Sequence, residues 1–171
     1  NPDDRCPYRF DNENTSIVSE PQKGSYAARN RGIEIARGTY LAFTDSDCQV
    51  HAKWLENALF YLKNNDLIGG NVVNYIIEDA EDKNLYLYDY YNGFPQHYYV
   101  TKRNASVTAN LITKRSLFED IGYFKNDLIS GGDFEWTQRA AANGYTLIYA
   151  ADVIVYHPSR TIEELSKKKQ R

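Results

Sequence analysis

A chain of 171 residues is long enough for one domain with a sizeable core. Its net charge of −3 excludes a general nucleic-acid binder, and no apolar run approaches the roughly 20 residues of a membrane-spanning helix. The two cysteines, Cys6 and Cys48, are too few for a disulfide framework and lack metal-type spacing, which fits a reducing, cytoplasmic setting.

Residues 1–15 are polar, hold Pro2 and Pro7, and read as a loop lead-in. Ser16–Ser19 reads as a strand ending before Pro21. A helix follows, with Ser25 as its N-cap and Ala27, Ala28, Ile33, Ile35 and Ala36 along it, and Gly38 stops it. Tyr40–Thr44 is the next strand. Ala52–Asn64 has helical periodicity, with Trp54, Leu55, Ala58, Leu59 and Leu62 on one expected core face. Leu67–Ile77 reads as a strand, Asp79–Tyr91 as a helix, and Gly93–Arg103 as an aromatic loop. Ser106–Thr113 leads as strand or turn into a short helix, Arg115–Ile121, capped by Gly122. Ser130-Gly131-Gly132 forms a hinge before a helix from Asp133 to Asn143. Two short strands are expected at Tyr145–Tyr149 and Val153–Tyr156. A last helix, Thr161–Gln170, has capping-box spacing at Thr161 and Glu164 and a basic end at Lys167, Lys168, Lys169 and Arg171. That end suits either an anionic membrane surface or a solvated helix terminus. Strands alternate with helices through the first half, which predicts an α/β domain over 16–160 with parallel pairing. The basic helix makes up 161–171.

Asp45-Ser46-Asp47 is the segment richest in chemistry. It ends the apolar run Tyr40–Thr44, and in an extended segment residues i and i+2 project to one side. Two carboxylates would then meet just past a strand end, where open α/β sheets place ligands. A hard divalent cation held by carboxylates and substrate phosphates suits that arrangement. Taken alone, such a pair is more often a turn or a helix cap.

Three further segments accompany it in fixed order. They are Gly24-Ser25-Tyr26-Ala27-Ala28-Arg29-Asn30-Arg31-Gly32, then Gly131-Gly132-Asp133-Phe134-Glu135-Trp136 with Arg139, then Val153-Ile154-Val155-Tyr156-His157. With Phe43–Cys48 they resemble the inverting family 2 glycosyltransferases of the GT-A fold over roughly Ile17 to Arg160. The resemblance implies a mixed sheet flanked by helices. It also implies metal-assisted transfer of a sugar from a UDP- or GDP-linked donor to an acceptor hydroxyl, on a glycan or lipid-linked acceptor in envelope or polysaccharide synthesis. On the donor side it implies Arg29 against the diphosphate and Asn30 fixing its helix against the Asp loop. Asp45 and Asp47, with His157, would hold Mn²⁺ or Mg²⁺. Asp133 would be the general base and Glu135 the runner-up. Trp136, His97, Tyr98 and Tyr99 would line the acceptor site, since aromatic faces can stack on sugar rings.

Two departures from the family pattern stand out. Gly132 precedes Asp133 where the family has Glu, and the opening nucleotide-binding strands of the family are not found before Ile17. The chain therefore reads as an N-terminally shortened domain whose open sheet edge invites a homodimer. Two other functions remain open on sequence alone: a non-catalytic glycan- or partner-binding domain derived from this fold, and a sugar nucleotidylyltransferase.

Overall fold

A computed structural model describes residues 15–75, 87 and 93–159. The expected lead-in up to residue 14, the expected helix at Asp79–Tyr91 apart from Leu87, and the basic helix Thr161–Gln170 lie outside the described residues. The elements, in chain order, are α1 (Ser25–Ile35), β1 (Tyr40–Thr44), β2 (Gln49–Val50), α2 (Trp54–Leu62), β3 (Leu67–Tyr75), α3 (Gln96–Arg103), β4 (Asn110–Lys114), α4 (Ser116–Ile121), α5 (Gly132–Ala142) and β5 (Leu147–Pro158).

The five strands form one mixed sheet in the order β1-β4-β3-β5-β2. The parallel pairing expected from strand–helix alternation is confined to β3 with β5. β4 runs antiparallel to both β1 and β3, and β2 runs antiparallel to β5. Alternation along the strands divides the core. Leu41, Leu67 and Leu111 point to one face, where they meet Tyr26 and Ile33 of α1, Leu117 and Phe118 of α4, and Trp136 and Ala140 of α5. Their neighbours Ile68 and Ile112 point to the other, against Trp54, Ala58 and Leu62 of α2. The result is a sheet between two helical layers.

Several local expectations are corrected. Ser16–Ser19 is not a strand: Ile17 is exposed, and no described strand pairs with it. Gly24, with φ 126°, occupies the N-cap of α1, and Ser25 is already inside the helix. On α2 the buried line is Trp54, Ala58 and Leu62 at strict i+4 spacing, while Leu55 and Leu59 are exposed. The aromatic segment is not a loop. Pro95 sets the entry to α3, Lys102 and Arg103 sit in its last turn, and Asn104 closes it in the left-handed region at φ 47°. The two expected C-terminal strands are one strand, β5, interrupted by a bulge. Gly70 pairs with Ala150, yet the next residue, Asn71, pairs with Ile154.

That bulge is built around Asn110, at the head of β4. Its fully buried amide donates from Nδ2 to Asn71 O and to Val153 O, both at 2.8 Å, and Oδ1 accepts from Trp54 Nε1 at 2.9 Å. Gly70 makes room for it: a Cβ there would stand 2.5 Å from Val153 O and closer still to Asn110 Nδ2. Gly70→Ala should therefore lower unfolding free energy by about 1–3 kcal/mol, as overpacking does. Asn110→Ala should cost as much or more by leaving buried carbonyls unpaired. Urea denaturation of the chain measures both, with the slope m unchanged.

Candidate functional site

The sheet topology gathers one end of several strands. Thr44, last in β1, stands opposite Asn110, first in β4, and β3 and β5 both finish on the same side. The Asp segment leaves β1 there. It is a turn, not an extended segment, because Cys48 N donates to Asp45 O at 3.1 Å. The turn divides the two carboxylates that the sequence aimed at one point. Asp45 Oδ1 accepts from Arg29 Nη2 at 2.7 Å, so Arg29 and Asp45 neutralise each other. Asp47 Oδ2 lies 3.7 Å from His157 Nε2.

His157 is 3% exposed. Its Nδ1 lies 2.6 Å from Pro158 O, and a carbonyl can only accept, so Nδ1 holds a proton, and in the neutral ring the lone pair is on Nε2. The Phe94 ring, 4.8 Å away, walls one side of the imidazole. A carboxylate and an imidazole lone pair facing each other at 3.7 Å are too far apart for a hydrogen bond. They suit a shared cation with bonds of about 2 Å, and a histidine oriented by a backbone carbonyl is the usual partner of such an ion. Asp47 and His157 therefore fit the metal expected from the sequence. Asp45, engaged by Arg29, is not in this group.

Asp133 sits in the first turn of α5. Its carboxylate accepts from Tyr26 Oη at 3.2 Å, from Thr108 N at 3.2 Å and from Phe134 N at 3.0 Å. Thr108 lies two residues before β4, so Asp133 belongs to the same end of the sheet as the Asp turn and His157. Gly132 now has a physical reason. A Cβ at that position would lie 2.8 Å from the Tyr26 ring, which fills the space a larger residue would need. Burial first, and then the Asp133 charge, push the Tyr26 hydroxyl above its ordinary range, so it stays a proton donor to Asp133. The Arg29 guanidinium lies 5.7 Å over the same ring.

The remaining expected residues separate clearly. Asn30 is structural: its Nδ2 donates to Phe124 O at 2.8 Å and its Oδ1 accepts from Phe124 N at 3.1 Å. It anchors α1 to the Phe124 segment, not to the Asp loop. Glu135 is not placed as a base. It accepts twice from Arg139 and pairs with Lys125 at 3.1 Å. Burial works to raise its pKa, but the Arg139 and Lys125 contacts together hold it below the ordinary glutamate value. Arg139 in turn donates to Ile121 O and Tyr123 O, pinning the segment after α4. Trp136 is not an acceptor residue either. It is fully buried, stacked on Phe118 at 4.2 Å, and its Nε1 donates to Gly122 O at 2.7 Å. It lies one turn into α5, on the helix face turned to the core. His97, Tyr98 and Tyr99 lie on α3. His97 meets Tyr149 edge-on, Tyr98 is 50% exposed, and Tyr99 packs on Phe134, which brings α3 beside the first turn that holds Asp133.

The sequence reading missed Tyr26, Thr108 and Asn110. Tyr26 lies three residues before Arg29, on the same helix face, and that spacing was the available signal. The polar residues Thr108 and Asn110 at the head of an apolar strand were another.

The family model for "Glycosyl transferase family 2" matches residues 7–122. The chain belongs to glycosyl transferase family 2. Glycosyltransferase AglE of Haloferax volcanii is 42% identical over 157 residues, spanning 91% of this chain and 51% of that protein. The chain thus spans about half the length of the curated relatives it matches. Among solved structures, the mannosyltransferase PcManGT from Pyrobaculum calidifontis, in complex with GDP-Man and Mn²⁺, superimposes with a TM-score of 0.63 at 22% identity, covering 90% of this chain and 43% of that one. S. aureus TarS 1-349 in complex with UDP-GlcNAc gives 0.57 at 19% identity, covering 87% and 42%. Likeness at this level shows the fold, the GT-A arrangement expected from the four segments.

Two consequences are measurable. Trp136→Ala should destabilise this family 2 domain by about 3–5 kcal/mol, as large-to-small core changes do, which urea denaturation reads. Glu135 has a depressed folded pKa, so its contribution is complete above the ordinary glutamate range and is lost as pH falls through the lower folded value. Glu135→Gln should lower the melting temperature at neutral pH by about 2–4 °C, equivalent to ~1 kcal/mol. The difference from wild type should vanish in strongly acidic solution.

Proposed function

We propose that this chain forms the metal and acceptor half of a sugar transferase that uses a nucleotide-sugar donor and inverts the anomeric centre in one displacement. The observation that supports it most is the Asp47–His157 pair, ready for a cation, at the same end of the sheet as a hydrogen-bonded Asp133, in a chain of this family. Asp133 accepts the proton of the acceptor hydroxyl as that oxygen bonds the anomeric carbon. The bond from that carbon to the donor phosphate breaks, and its electron pair leaves with the nucleoside diphosphate. Asp47 and His157 would hold the divalent ion, Mn²⁺ or Mg²⁺, which neutralises charge on the leaving diphosphate. Arg29 offers a guanidinium that a diphosphate can take from Asp45 bidentately.

On the acceptor side, α3 presents His97 and Tyr98, with Tyr99 against Phe134. The acceptor is a glycan or lipid-linked hydroxyl in envelope or polysaccharide synthesis. No helix among the described residues is long and apolar enough to cross a membrane, and the basic residues Lys167–Arg171 suit peripheral contact with a cytoplasmic membrane face. GDP and UDP are the donor nucleotides to test, since PcManGT and TarS were solved with GDP-Man and UDP-GlcNAc. Where the family has Glu before Asp133, the Tyr26 ring fills the space over Gly132 and its hydroxyl donates to Asp133.

The test is calorimetric titration of UDP and GDP with and without Mn²⁺. One nucleotide should bind only with Mn²⁺, and Asp47→Asn should weaken it at least tenfold, about 1.4 kcal/mol. In the full-length protein, Asp133→Asn should abolish transfer while leaving that binding intact. Metal-independent binding, or transfer at wild-type rate by Asp133→Asn, would overturn the reading.

A further inference from the structure

The Asp47–His157 pair has a third neighbour that the donor-site reading leaves unused. Cys48 Sγ lies 3.8 Å from Asp47 Oδ1, and donor atoms of Asp47, Cys48 and His157 all lie within 4.8 Å of one another. The sheet makes this placement. β2 pairs with β5 through Gln49↔Tyr156 and Val50↔Val155. One residue further along that antiparallel register, Cys48 stands opposite His157, and directly opposed residues have Cβ atoms about 5 Å apart. Asp47 adds its carboxylate from the turn. The buried imidazole, held by Pro158 O at Nδ1, turns Nε2 to the Asp47 carboxylate.

We propose that Cys48 is a third protein ligand of this site, so that it takes a borderline-soft divalent ion such as zinc or cobalt in preference to magnesium. Thiolate, imidazole and carboxylate together are the donor types of zinc sites that keep a fourth position open. Magnesium instead demands an octahedron of oxygens, and soft ligands select against it. Two anionic ligands and a dication also sum to zero, which suits a partly buried position. The open position is where a donor diphosphate oxygen would bind. The thiol is half-buried, and it would bind the ion as thiolate, its proton leaving to solvent.

This inference rests on the metal-assisted reading above, and spectroscopy separates the two. Titration of the chain with Co²⁺ should produce a near-ultraviolet thiolate-to-cobalt charge-transfer band with strong visible bands of a four-coordinate ion. Cys48→Ser should remove the charge-transfer band, and Cys6→Ser should leave it in place. Stoichiometric Zn²⁺ should bleach the spectrum, whereas Mg²⁺ in about hundredfold excess should not. Cys48→Ser should move the Co²⁺-over-Mg²⁺ preference at least tenfold toward Mg²⁺. Cobalt bands without charge transfer, or a charge-transfer band that survives Cys48→Ser, would overturn the role of Cys48 and leave the Asp47–His157 site standing. No Co²⁺ uptake, even with UDP or GDP present, would overturn both.

Discussion

Where β3 and β5 fall out of step, the side-chain amide of Asn110 donates to two backbone carbonyls, Asn71 O and Val153 O, one on each strand. An orphaned buried carbonyl costs on the order of 1–3 kcal/mol, so the bulge and the amide depend on each other. The same amide accepts from Trp54, which fixes the start of α2, and its backbone carbonyl accepts from the buried Gln96 at 3.3 Å, which fixes the start of α3. Gly70 leaves the space for all of this. The second half of β5, with His157 near its end, takes its position from that junction.

A second chain of contacts joins the two chemical ends of the site. Asp45 holds Arg29, Arg29 lies over the Tyr26 ring, and the Tyr26 hydroxyl donates to Asp133. The two aspartates of the turn thus have different tasks. Asp47 faces the imidazole, and Asp45 holds the guanidinium that lies over the Tyr26 ring.

Much of this was legible in the residues. The four segments that carry the family resemblance do converge on one end of the sheet, and β1, α2, α4 and α5 lie close to their expected spans. Periodicity and turn residues report local structure, and those elements are locally determined. What the sequence hid depends on partners far along the chain. Trp136 and Glu135 sit beside Asp133 in sequence, yet successive helical positions point about 100° apart. Trp136 therefore enters the core, and Glu135 turns to Arg139 and Lys125. The aromatic run at Gln96–Arg103, expected as a loop, is a helix entered from Pro95, and a proline at a helix start is compatible with its first turn. Cys48 lacked any metal-type spacing because its partner lies across the sheet in β5.

The bulge has a further consequence in parity. Between the residues that pair with Gly70 and Asn71, β5 holds Ala151, Asp152 and Val153, an odd number. Side chains alternate along a strand, so three extra residues would by themselves put the rest of β5 out of step with β3. Ala150 before the bulge and Val153 and Val155 after it nonetheless lie in the same cluster against α2, so the bulge itself breaks the alternation and restores the register. His157 shares the phase of Val153 and Val155. The pairing of His157 with Asn74 therefore sets the side of the imidazole, and the bulge lets β5 exceed β3 in length without turning it away from Asp47 and Cys48.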